Sequence, residues 1–189
     1  VQVISLTLLC RADYGILEFD GQIEDYAETA ARIADFPLSP VHAVVGLVPE
    51  AAGAGFIRFV EYIAAMSLLA SAVLMVFFGL LLWLIRWPVG RRDFNLWINL
   101  PTFSPGFAAD AERRLFRDGL ANIVIGILSL YIVPYASLPF IDLTSDDVQT
   151  NYQLVVWSGV LWGFVSGSLI IRGMAVLKVW RLVSAARNL

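Results

Sequence analysis

The chain has 189 residues, of which 59% are hydrophobic and 15% charged, with a formal net charge of −3. That composition excludes an ordinary soluble globular domain. One cysteine (Cys10) excludes an internal disulfide framework and a cysteine-based metal cluster. No nucleic-acid partner is expected. Three runs free of charged side chains, residues 62–85, 119–138 and 152–171, each match the roughly 20 helical residues that cross a hydrocarbon core of about 30 Å. The expected fold is therefore an all-α integral membrane protein with three transmembrane helices. Short amphipathic helices are expected at its N-terminal side, in its inner connection and at its C-terminus.

Residues 1–55 form an acidic external segment with eight acids against two arginines, Arg11 and Arg32. The chain opens on Val, so a targeting segment could precede it. Residues 1–10 (VQVISLTLLC) are too short to span and make a poor lipid-attachment signal, so a buried strand or short helix is expected. Residues 22–36 read as a short amphipathic helix with Ile23, Tyr26, Ala30 and Ile33 on its apolar stripe, widened by Ala27 and Ala34. Glu24, Asp25 and Glu28 lie in its first turns, where the helix dipole favours anions, and Pro37 ends it. Ser39 and Pro40 suit the N-cap and first position of a second short helix running to Leu47. Residues 51–55 (AAGAG) read as a flexible joint.

Transmembrane helix 1 is expected over 56–87. Arg58 and Glu61 stand at its outer edge as an interfacial ion pair, and Glu61 is also the one candidate ion ligand near a span. Trp83 and Trp87 form an inner aromatic belt. Residues 88–117 are too apolar to float in water and are expected along the inner interface, with Arg91, Arg92, Trp97, Arg113, Arg114 and Arg117 at lipid head groups. Ser104-Pro105 starts a helix that runs into transmembrane helix 2, expected over 118–139, where Pro134 kinks or ends the regular helix.

Transmembrane helix 3 is expected over 152–172. Gly159, Gly163 and Gly167 place small residues on one face, which allows another backbone, of this chain or another, to approach closely. Trp157 and Trp162 are expected away from that face, toward lipid, a partner or a pigment. Residues 173–189 continue as a basic amphipathic helix anchored by Lys178, Trp180 and Arg181.

Charge asymmetry orients the spans. Lys and Arg near a span favour the cytoplasmic side. The basic stretches 86–118 and 172–187 belong inside, with the N-terminus outside (periplasmic or lumenal) and the C-terminus on the cytoplasmic side. His42 is the single histidine, so a bis-histidine haem within one chain is excluded, although one axial donor to a pigment remains. No nucleotide, zinc-hydrolase or serine-hydrolase signature occurs, and no metal site or required cofactor is expected. Bound lipids are expected. These features suit a non-catalytic accessory subunit of a larger energy-converting or transport complex, with other membrane subunits and the bilayer as partners. A homo-oligomeric channel or scaffold and a pigment- or lipid-binding subunit are the alternatives.

Overall fold

A computed structural model of the chain describes residues 21–84, 108–137 and 152–187. Among these there is no strand, and five helices and one 3-10 turn account for nearly all of the backbone. They are α1 (Gly21–Ala34), α2 (Pro40–Val45), the turn Glu50–Ala52, α3 (Ala54–Leu84), α4 (Ala108–Ser137) and α5 (Tyr152–Arg187). Three of them, α3, α4 and α5, are long and apolar enough to cross a membrane. Residues 1–10, with Cys10, and Arg91, Arg92, Trp97, Trp87, Pro139 and the 139–151 loop lie outside the described residues.

The chain divides into two compact units. The first contains α1, α2, the start of α3 to Val73, the end of α4 from Leu128, and α5 to Ser166. Here α1 buries Ala27, Ala30, Ala31 and Ala34, which recur at i, i+3, i+4 and i+7. The stripe read from the sequence is corrected by this burial: Tyr26 and Ile33 are 71% and 61% exposed. Alanine wins the buried positions because small residues let two helix backbones come close, whereas Tyr and Ile would hold them apart. The alanines share one core with Val41 of α2, Tyr62, Ala64 and Ala65 of α3 and Trp162 of α5.

The connection from α1 to α2 is tightly specified. α1 ends at Ala34, and Leu38 adopts a left-handed φ of 67° while remaining 85% exposed. Such a backbone is unfavourable for a branched residue. It is held from outside, because the Tyr131 hydroxyl on α4 donates to the Leu38 carbonyl at 2.7 Å. Ser39 then caps α2, its hydroxyl accepting from the Val41 amide at 3.2 Å, with Pro40 in the first turn as expected. The expected flexible joint is a 3-10 turn instead, closed by Gly53 at φ 85°, a conformation that suits a residue without Cβ.

Within this unit α5 crosses α3 at Gly159 and Gly163. A Cβ on Gly163 would stand 3.0 Å from the Ser67 carbonyl oxygen and 2.9 Å from Ser71 Oγ. One on Gly159 would stand 2.5 Å from Ile63 Cγ2, in a buried side chain stiffened by its β-branch.

The second unit holds α3 from Leu74, α4 to Ile127 and α5 from Gly167. It has its own close crossing, where a Cβ on Gly173 would lie 2.7 Å from the Gly119 carbonyl oxygen and 3.0 Å from the Ile123 amide nitrogen. Phe116 and Trp180 pack there with ring centroids 4.9 Å apart. α5 passes Gly173 without interruption, so the basic C-terminal stretch prolongs the same helix.

Gly163→Ala and Gly173→Ala are each expected to destabilise the detergent-solubilised protein by about 1–3 kcal/mol through overpacking. Gly79, which has open space around its Cβ position, is the control. Gly79→Ala is expected to be neutral or stabilising by up to about 1 kcal/mol, as read from equilibrium denaturation.

Candidate functional site

Among the described residues of the first unit, the buried polar side chains are serines, and Ser71, Ser129 and Ser166 join one helix to another. Ser71 Oγ on α3 donates to the Gly163 carbonyl at 3.0 Å. Ser129 on α4 and Ser166 on α5 share a hydroxyl hydrogen bond of 2.8 Å. The third tie begins with a proline. Pro134 lies inside α4, which continues to Ser137 rather than ending. Having no amide hydrogen, Pro134 leaves the Leu130 carbonyl four residues earlier without its helical donor. The Trp162 indole on α5 donates to that same carbonyl at 3.0 Å. Ser137 Oγ in turn donates to the Pro134 carbonyl at 2.7 Å. This arrangement corrects the expectation for Trp162, which is 5% exposed and turned into the core, whereas Trp157 is 54% exposed.

Beside this seam lies a largely apolar cleft of about 300 Å³. It is bounded by Val48 of the post-α2 segment, Ile63 of α3, Pro134 of α4, and Val155, Ser158 and Trp162 of α5. Among the described lining residues, Ser137 and Ser158 bring hydroxyl groups and Trp162 its indole N–H. Such a volume is at the lower end of the range for small-ligand sites.

The remaining candidate residues are dispersed. Arg58 donates to the Tyr62 hydroxyl at 2.6 Å, its guanidinium carbon 5.5 Å from the Tyr62 ring centroid. The expected pairing with Glu61 is therefore replaced by the i+4 neighbour, which offers both an acceptor and a π face. Glu61 is half-buried one turn away. His42 is exposed, and its Nε2 lies 2.9 Å from Asp35 Oδ1 across the α1–α2 connection. Among the described residues no group of three or more His, Cys, Asp or Glu is placed to hold a metal.

In the second unit Arg113, Arg114 and Arg117 line one exposed hollow on α4 together with Asp118, which pairs with Arg117 at 3.8 Å. Arg181 is exposed and Lys178 and Trp180 half-buried on α5. Gly159 and Gly163 are brought together against α3, while Gly167 is buried and belongs to the second unit.

Sequence reasoning missed the Gly119–Gly173 crossing and the Trp162–Leu130 bond. The first lacks a four-residue repeat on either helix. The second had one visible sign, a proline inside a span beside a tryptophan-rich one, but the register between them is a property of the fold. No family model matches the chain, and neither a curated protein nor a solved structure gives a match.

Trp162→Phe is expected to cost about 0.5–1.5 kcal/mol, since it removes the donor from a part-buried carbonyl. Adding Pro134→Ala restores an amide hydrogen four residues after Leu130 and should recover part of that loss. Equilibrium unfolding of the two single variants and the double variant checks this, with a coupling that departs from additivity as the expected result.

Proposed function

We propose that the protein crosses a membrane three times and serves as a non-catalytic accessory subunit of a larger membrane complex. Its acidic N-terminal side faces the periplasm or lumen, and its basic C-terminal end faces the cytoplasm. The orientation rests on Arg113, Arg114, Arg117, Arg172, Lys178 and Arg181 beside the inner ends of α4 and α5. The same basic groups, with Trp180, suit contact with anionic head groups. No cofactor is required for such a role.

The observation that carries the reading is the two-faced character of α1. Its alanine face shares a core with residues well inside the apolar helices, Trp162 lying ten residues beyond the start of α5. The connection after it is tied to Tyr131, six residues before the end of α4. On its other side α1 exposes Asp25, Glu28 and Arg32, with Asp35 exposed just past its end. Ionisable groups at membrane depth cost about 3 kcal/mol each at mid-bilayer, less toward the head groups, and are found mainly against protein or water. A polar helix face at that depth therefore supports a partner subunit seated on α1. The glycine face at Gly159 and Gly163 is used within the chain against α3, which moves the docking surface from the third span to α1.

Native membranes solubilised in mild detergent should yield the chain in an assembly larger than the monomer. Asp25→Lys with Glu28→Lys should release it, while leaving the thermal stability of the isolated chain within about 0.5 kcal/mol, as for other surface substitutions. A wild-type chain that migrates alone on native gels, or an assembly unaffected by the charge reversal, would refute the proposal.

A further inference from the structure

The basic hollow on α4 opens onto an apolar stripe of the same helix. Arg113, Arg114 and Arg117 line it with a single carboxylate, Asp118, which leaves an excess of two positive charges. Asp118 Oδ1 stands 3.8 Å from Arg117 Nε, too far for a hydrogen bond, and both side chains are exposed. The preceding sequence does not supply the missing acids, since residues 88–107 carry Arg91 and Arg92 against Asp93 alone.

From Arg117 the same face continues through Leu120, Val124 and Ile127, at i+3, i+7 and i+10. These three are 45–48% exposed. α5 packs on the other side of α4, at Phe116, Gly119 and Ile123, and leaves the stripe open. Ten residues at 1.5 Å each extend the stripe about 15 Å from Arg117, half of a hydrocarbon core of about 30 Å. Asp118 is the last charged residue before the charge-free run that starts at Gly119, so the hollow stands at the edge of that run. A cationic hollow at the head of an apolar track one leaflet long has the outline of one phospholipid. Guanidinium forks match phosphate oxygens, and the excess positive charge disfavours a head group that carries its own cation. A soluble anion would use the arginines and leave the track bare.

We infer that this face of α4 binds one anionic phospholipid, its phosphate on Arg113, Arg114 and Arg117 and an acyl chain along Leu120, Val124 and Ile127. The inference rests on the membrane-spanning reading proposed above, in whose orientation the lipid belongs to the cytoplasmic leaflet. It gives the three arginines a selective role, distinct from the general positive charge of that side.

The purified full-length chain is titrated in mild detergent with phosphatidylglycerol or phosphatidylcholine, and bound lipids are counted by native mass spectrometry. The expected result is a single bound phosphatidylglycerol, preferred about tenfold over phosphatidylcholine. Arg113→Gln with Arg117→Gln should lower that preference to about twofold. Lys178→Gln with Arg181→Gln removes the same charge from α5 and should leave the preference unchanged. Dihexanoyl phosphatidylglycerol, whose chains end partway along the track, should bind the wild-type chain about tenfold more weakly than the dioleoyl lipid.

Equal binding of the two head groups, or equal loss from both charge pairs, would overturn the site and leave the membrane reading standing. Equal binding of the short and long lipids would assign the hollow to a free anion, and would overturn it as a lipid site. Release of the reconstituted chain from vesicles by alkaline carbonate would overturn the membrane reading, and the site with it.

Discussion

The approach of α5 onto α3 at Gly159 and Gly163 is the constraint on which the first unit depends. Apolar side chains give little reason for one helix to prefer another when the surroundings are equally apolar, so specificity has to come from shape and from the few polar groups. Two glycines let the α5 backbone settle against Ser67 and Ser71, and that closeness is what allows Ser71 Oγ to reach the Gly163 carbonyl. Once α5 is seated, the Trp162 indole meets the carbonyl that Pro134 leaves open on α4, and Ser166 meets Ser129. The same logic of small residues extends to α1, whose alanines join the core that includes Trp162.

Pro134 acquires a meaning that differs from the usual one. A proline within a long helix commonly signals a bend or a gate. Here its effect is chemical as well as steric, because it releases an acceptor that a neighbouring helix can use. A tryptophan across the seam answers it, and Ser137 answers the proline's own carbonyl near the helix end. The second unit is joined by different means, a glycine-to-glycine crossing and a ring contact between Phe116 and Trp180.

Much of the architecture is legible in the sequence for a simple reason. Nineteen or more consecutive residues without a charge are rare by chance, and α3, α4 and α5 each contain such a run. The Ser39-Pro40 start of α2 and the small-residue face at Gly159 and Gly163 could also be read, because capping and close approach each demand particular residue types. What was hidden depends on partners. Hydrophobicity ranks Tyr26 and Ile33 above alanine, yet the distance to the neighbouring helix decides the buried face and selects Ala27, Ala30, Ala31 and Ala34. Arg58 was expected to seek a carboxylate and instead meets Tyr62. The owner of the surface facing the glycines, α3 of the same chain, could not be read from α5 alone.

Ser129 and Ser166 offer the most direct measurement of this packing, because two hydroxyl oxygens 2.8 Å apart bring their Cβ atoms near the span of a disulfide. In a Cys10→Ser background, Ser129→Cys with Ser166→Cys should oxidise in native membranes to a bond within one chain, seen as a faster-migrating monomer on non-reducing gels. A covalent dimer, or free thiols that persist under oxidant, would contradict a seam closed within the chain.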